Sequence, residues 1–235
     1  MNVVRFGERG VPLIYVPSSG GDHEEFARFG MPADCGPWIA AGRVQIFSID
    51  GFGPRTLWND ALAPAERIRA YARFERYAVE ELVPWVRASS GGRTPAVVGA
   101  SYGAHVAANL LFKHPALVGA ACGLGGVYGL WHRLDGYHDD EVYFHTPLEY
   151  LPRLADVTIL DAIRATDGML VFGAERDEWL WSTERLLGVL AERRLPHRSE
   201  IWPAPADHHE RWWRRQLRRL LELRYGTLRP PPRLD

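Results

Sequence analysis

The stretch that most restricts what this chain can fold into lies at residues 96–114. In Pro95-Ala96-Val97-Val98-Gly99-Ala100-Ser101-Tyr102-Gly103-Ala104, a short apolar run with β-branched residues passes directly into Gly-x-Ser-x-Gly. Beyond it, Val106 and Leu110 recur at helical spacing until Lys113-His114-Pro115 stops the helix. A strand that turns this sharply into a helix leaves no room for a Cβ on either side of the turn residue. That is the reading of Gly99 and Gly103, and the small Ala100 and Ala104 suit the same crowding. Such a turn pushes the Ser101 hydroxyl out at the carboxyl end of a sheet, at the positive end of a helix macrodipole. Gly-x-Ser-x-Gly also arises by chance in glycine-rich turns, so the flanking strand and helix carry the assignment.

The rest of the chain alternates strands with helices. Val11–Val16 reads as a buried strand closed by Pro17-Ser18-Ser19-Gly20-Gly21, and Val44–Ile49 as a second strand, with a short helix or irregular crossover at 24–40 between them. Residues 64–88 read as a helix, with Ile68, Tyr71, Phe74, Ala78 and Leu82 at three- and four-residue steps and Pro84 kinking its end. After the elbow come a strand at 117–122, a glycine-rich turn at 123–126, a strand at 169–172, a helix at 179–195, a strand at 199–202 and a closing helix at 209–225. This order predicts an α/β fold with a mostly parallel central sheet and helices on both faces. With 235 residues, 46% of them hydrophobic, one domain over 1–235 is expected. Residues 126–156, rich in aromatics and acids and weakly periodic, are expected to form a cap-like connection near Ser101. Residues 227–235, with three successive prolines, are expected to be a loose tail.

A formal net charge of −1 gives no basis for binding duplex nucleic acid or an anionic membrane. Cys35 and Cys122 stand apart, without the spacing of a disulfide framework or zinc knuckle, and neither a signal peptide nor a membrane-spanning run is evident. The expectation is a cytoplasmic protein whose partner is a small molecule, with no nucleic acid and no membrane; a homo-oligomer is compatible with the sequence.

A serine hydroxyl is a weak nucleophile at neutral pH, so it needs a base within hydrogen-bond reach and a third group to orient that base. In this topology the partners follow in the order Ser, acid, His, each after a strand. Asp177 follows the strand at 169–172 and His208 the strand at 199–202. Glu175 and Glu178 compete for the acid and His209 for the base, and Asp177 is also placed to cap the helix after it. An oxyanion needs amide donors: the N–H of Tyr102 and one from the loop after Val11–Val16, with Gly20 favoured and Ser19 or Gly21 as alternatives. His132, His138, Asp139, Asp140 and His145 lack a recognised ligand spacing, so no metal is assigned. The Arg-rich run from Trp212 to Arg219 reads as an amphipathic helix with a solvated face, and His105 as a packed helix residue.

Residues along most of the chain resemble the putative-esterase family of α/β-hydrolases, which includes S-formylglutathione hydrolases, feruloyl esterases and mycolyltransferases. The matching stretches are Pro17-Ser18-Ser19-Gly20-Gly21, Phe29-Gly30-Met31, Gly99-Ala100-Ser101-Tyr102-Gly103-Ala104 with Ala107-Ala108-Asn109, Gly136-Tyr137 with Tyr143-Phe144 and Pro147, and His208 with Trp212-Trp213-Arg214. The resemblance implies an α/β-hydrolase fold, a Ser101, Asp177, His208 triad, and hydrolysis of a small-molecule carboxylic ester without a cofactor. An acyltransferase on the same triad, or a non-catalytic binding protein of this fold, are its alternatives. The chain departs from the family at Tyr102, where Met is usual. Gly125-Gly126-Val127-Tyr128-Gly129 replaces Ser-Gly-Val-Tyr-Asp, and His208-His209-Glu210 replaces His-Asp-Trp. None of these removes a triad member, and all bear on the shape of the pocket.

Overall fold

The apolar runs become the inner strands of a seven-stranded sheet in the computed structural model of the protein, which describes residues 1–228. The expected tail lies almost wholly outside the described residues. In chain order the elements are β1 (Val3–Phe6), β2 (Val11–Val16), α1 (Glu25–Arg28), α2 (Met31–Ala40), β3 (Val44–Ile49), α3 (Pro64–Tyr77), α4 (Val83–Ser89), β4 (Ala96–Ala100) and α5 (Tyr102–Lys113). They continue with β5 (Ala120–Leu124), α6 (Asp140–His145), α7 (Pro147–Tyr150), α8 (Val157–Arg164), β6 (Met169–Ala174), α9 (Leu180–Glu192), β7 (His197–Trp202) and α10 (Glu210–Tyr225). The strand order is β1-β3-β2-β4-β5-β6-β7; β1 runs antiparallel to β3 and every other pair is parallel.

Successive side chains of a strand point to opposite faces, and here each face meets helices. Ile14, Val16 and Val97 pack with α3, α4, α5, α8 and α9. Leu13, Tyr15 and Val98 pack with α1, α2 and α10. Two-sided burial is why the inner strands read as mainly apolar runs, interrupted in β3 by Gln45 and Ser48, whereas the edge strand β7 mixes half-buried and exposed residues.

Beyond shifts of two or three residues at the ends of β6, α9 and β7, the structure differs from the sequence reading chiefly at β1, β5 and the helix at 64–88. Strand β1, four residues long and containing Arg5, exists by pairing with β3, and Arg5 is held by Gln45 Oε1 at 2.7 Å. Strand β5 begins three residues later than expected and runs through Gly123, because Leu117 and Val118 instead close a turn on the His114 carbonyl. The position must be glycine for want of space: a Cβ there would lie 2.0 Å from Tyr128 Oη and 3.1 Å from Ala104 Cβ. The helix at 64–88 continues past Pro84 through a π-helical turn at Ala78–Leu82, which absorbs the missing amide and the ring's clash with the preceding turn.

The connection at 126–156 is more ordered than its sequence suggests. It holds 3₁₀ turns at Trp131–Arg133 and Leu151–Arg153 as well as α6 and α7. Its later half docks on α5 through Asn109, a fully buried amide that donates to Tyr71 Oη (2.9 Å) and the His145 carbonyl (2.8 Å) and accepts from Tyr150 Oη (3.0 Å). Asn109→Leu strands these buried groups, so unfolding stability falls by about 2–4 kcal/mol, read as a lower urea midpoint at unchanged slope.

Beside this amide, Glu75 is buried between Lys113 Nζ (2.5 Å), His114 Nε2 (3.3 Å) and His145 Nε2 (3.8 Å). Burial alone would raise its carboxyl, but the His114 hydrogen bond and the charges of Lys113 and His145 outweigh that and bring it down to about 2. A carboxyl held below its unfolded value of 4.5 stabilises the fold above that pH, and the contribution is lost as pH falls from 4.5 towards 2. Acid unfolding therefore includes a Glu75 component of about 3 kcal/mol, which Glu75→Gln removes from the urea midpoint measured against pH.

Candidate active site

Strand β4 ends where α5 begins, and the residue between them takes the strain. Ser101 has φ 52° and ψ −115°, a positive-φ conformation that costs a non-glycine residue about 1–3 kcal/mol. The surroundings impose it: the Ser101 amide donates to Leu124 O (3.0 Å), and its carbonyl accepts from Ala104 N (3.1 Å) and Val127 N (3.2 Å). A Cβ on Gly99 would lie 1.9 Å from Gly103 O, and one on Gly103 would lie 2.2 Å from Val16 O. Both glycines of the motif are thus fixed by backbone approaching backbone.

The structure brings the three expected side chains together. His208 Nε2 lies 2.9 Å from Ser101 Oγ, and His208 Nδ1 lies 3.1 and 3.0 Å from the two Asp177 oxygens. Asp177 follows β6 and His208 follows β7, so three residues separated in sequence meet at the carboxyl edge of the parallel strands. The Asp177 side chain is 1% exposed and that of His208 14%. Asp177 Oδ1 also accepts the Trp179 amide at 2.8 Å, so the carboxylate orients the imidazole and tethers the start of α9 at once. A carboxylate anchored to backbone beside Nδ1 favours the tautomer that carries its proton there and turns Nε2 towards the serine. Trp213 stands edge-on to His208, ring centroids 5.1 Å apart at 84°. Gly125 makes room for it, since a Cβ there would sit 2.6 Å from Trp213 Nε1 and 3.5 Å from Asp177 Oδ2.

The competing residues are engaged elsewhere. His209 is the N-cap of α10 and accepts from the Arg211 amide; Glu175 accepts from the Ala204 amide at 2.9 Å, and Glu178 is exposed. His105 is fully buried between Tyr71 and Tyr102, and burial drives its pKa down to about 3. The histidines and aspartates of the 126–156 connection go to separate partners: His138 to Glu149, Asp139 to the Val142 amide, His145 to the Glu141 carbonyl. Among the described residues no three His, Cys, Asp or Glu side chains are gathered as a metal site would require. Within the Arg-rich run of α10, Arg214 pairs with Asp34, Arg218 with Glu222 and Arg219 with Glu200, while Arg215 lies over the Trp212 ring.

Two amide sources border Ser101. The Tyr102 N–H opens α5 and has no intrahelical acceptor. The loop after β2 lies against the same turn, because Gly103 abuts the Val16 and Pro17 carbonyls. Within that loop Gly21 N–H donates to Ser18 O (3.0 Å) and Ser18 N–H to Glu25 Oε1 (2.9 Å). Gly21 is thereby engaged, which leaves Gly20, the favoured residue, and Ser19 as the loop's candidate donors.

An aromatic wall missed by the sequence reading adjoins the site. Trp58 contacts Tyr102 (4.6 Å between centroids) and His132 (6.0 Å), and His132 contacts Trp179 (4.5 Å). The segment bearing Trp58 is pinned to the 126–156 connection by Arg133, which donates to Leu57 O at 3.1 Å and pairs with Asp60, and by Arg67, which donates to Arg133 O at 2.9 Å. Near its start that connection reaches the nucleophile's backbone, where the Val127 amide donates to Ser101 O at 3.2 Å. No periodicity could have shown that Trp58, His132 and Trp179, so far apart in the chain, share a surface.

A family model described as Putative esterase matches residues 58–222. The chain belongs to that family. This esterase-family chain is accordingly an esterase-type hydrolase, and its architecture is the α/β-hydrolase fold. Among solved structures it is similar to a ferulic acid esterase (14% identity, TM-score 0.70, covering 92% of this chain and 84% of that one). It is also similar to an S-formylglutathione hydrolase from Agrobacterium tumefaciens (12%, 0.68, 92% and 83%) and to MPT51 from Mycobacterium tuberculosis (13%, 0.64, 97% and 93%). At these identities the likeness is one of fold. No curated protein sequence matches the chain. No helix among the described residues is long and apolar enough to cross a membrane.

Proposed function

We propose that this esterase-family protein is a serine carboxylesterase that hydrolyses a small or medium acyl ester through an acyl-enzyme. The observation that carries the reading is the line Ser101 Oγ, His208, Asp177, closed by contacts of 2.9 and 3.0 Å on a strained elbow. His208 Nε2 takes the Ser101 proton as Oγ bonds to the ester carbonyl carbon. The resulting oxyanion is held by the Tyr102 amide and by the Gly20 or Ser19 amide, while Asp177 stabilises the imidazolium. Collapse breaks the carbon–oxygen bond to the alcohol, which leaves with the proton from His208. A water then gives a proton to His208 and bonds to the acyl carbon; release of the acid returns the proton to Ser101. No cofactor takes part in this sequence.

Transfer of the acyl group to an acceptor other than water uses the same residues. Both cysteines are free and buried, in keeping with a reducing cytoplasm. A fluorophosphonate probe tests the covalent step. Intact-mass and peptide analysis are expected to find a single adduct on Ser101; a folded protein that stays unlabelled would favour a non-catalytic binding role instead.

A further inference from the structure

The loop that carries the second oxyanion donor is anchored by a buried acid that neither the triad nor the family resemblance accounts for. Glu25, at the start of α1, is 2% exposed. Its Oε1 accepts from Tyr15 Oη on β2 (2.9 Å) and from the Ser18 amide (2.9 Å), and its Oε2 accepts from Ser18 Oγ (2.6 Å). Gly21 closes over the carboxylate: a Cβ there would lie 2.0 Å from Glu25 Oε2. Burial pushes the carboxyl up, while the bonds from Ser18 and Tyr15 pull it down.

These contacts fix both ends of the Ser18-Ser19-Gly20-Gly21 turn. Ser18 is held by two bonds to Glu25, and Gly21 is held by its own bond to Ser18 O and by contact with the carboxylate. From the other side the Ser19 carbonyl is confined by Gly53, where a Cβ would stand 2.0 Å away. The amides of Ser19 and Gly20, between the fixed ends, are left without acceptors of their own in the turn, and the chain just before them touches Gly103 of the elbow.

We infer that Glu25 is a positioning residue that clamps the 18–21 turn so that its free amide points at the developing oxyanion. The inference rests on the serine-esterase reading. A donor aimed by a clamp acts on the transition state more than on the bound ester, so loosening it lowers kcat and leaves KM nearly unchanged. Glutamine preserves the clamp, because its oxygen accepts from Tyr15 and the Ser18 amide while its NH₂ donates to Ser18 Oγ after the hydroxyl rotates.

The experiment measures p-nitrophenyl acetate hydrolysis per folded molecule, with the folded fraction taken from near-ultraviolet circular dichroism. Glu25→Ala is expected to lower kcat about 10- to 100-fold with KM within about twofold, and Glu25→Gln to restore kcat to within about threefold of wild type. Should Glu25→Ala fail to fold, Ser18→Ala and Tyr15→Phe separate the roles, each removing one bond to the same carboxylate. Ser18→Ala loosens the turn and lowers kcat, whereas Tyr15→Phe loosens only the strand side and lowers Tm at nearly constant kcat. Unchanged kcat in Glu25→Ala or in Ser18→Ala, or an equal loss in Tyr15→Phe, overturns the clamp while the serine-esterase reading stands. A wild-type protein with neither turnover nor Ser101 labelling overturns both.

Discussion

Replacing Ser101 with alanine lowers kcat for p-nitrophenyl acetate by about 10⁴- to 10⁶-fold, and His208→Ala does nearly the same. The double variant is no slower than either single one, because a base without a nucleophile, or a nucleophile without a base, performs no step that survives the other's loss. That non-additivity distinguishes a coupled Ser101 and His208 from two residues that each help bind the ester, whose losses would multiply. Asp177→Asn is expected to follow in the same direction through the imidazole tautomer, although its carbonyl oxygen can still accept the Trp179 amide. Steady-state rates on purified, folded variants decide the matter. Turnover in Ser101→Ala within tenfold of wild type would falsify the assignment of the nucleophile.

Gly99→Ala is expected to destabilise the fold by at least about 4 kcal/mol, enough to leave much of the protein insoluble or unfolded at 37 °C. The added carbon would sit 1.9 Å from Gly103 O and 2.5 Å from Ala104 N, backbone atoms of a helix that cannot retreat because a Cβ-free Gly103 already rests on the Val16 and Pro17 carbonyls. Gly188→Ala is the contrast. Gly188 lies on an exposed part of α9, a Cβ added there would meet nothing within 4 Å, and alanine raises stability by about 0.5–1 kcal/mol. Urea unfolding of the two variants is expected to shift in opposite directions. Equal shifts would mean that glycine content, and not the closeness of the elbow, controls stability.

Local order in the sequence carried most of the architecture. Strands buried on both faces are mostly apolar, so β2, β3, β4 and β6 stood out as runs even though β3 carries the buried Gln45 and Ser48, and the amphipathic α3 and α10 stood out by their spacing. The elbow was legible because its constraint is local: two glycines are needed within five residues whatever surrounds them. Asp177 and His208 were legible through chain order, since parallel strands linked by helices deliver their carboxyl ends to one edge in sequence. Chain order alone left Glu175, Glu178 and His209 open as competitors, and the contacts of 2.9 to 3.1 Å that single out Asp177 and His208 came only with the fold.

The sequence by itself determined the sheet, its covering helices and the three residues able to meet at its edge, because periodicity and turn chemistry act over a few neighbouring residues. Only the tertiary structure decided what depends on distant approach. Strand β1 forms because β3 offers an edge, and Gly123 enters β5 by pairing between Gly99 of β4 and Val171 of β6. Trp58, His132 and Trp179 become one wall because Arg133 and Arg67 tie their segments together. Those contacts join segments whose separation along the chain carries no pattern, so their energies are set by packing and by the satisfaction of buried polar groups once the sheet has formed.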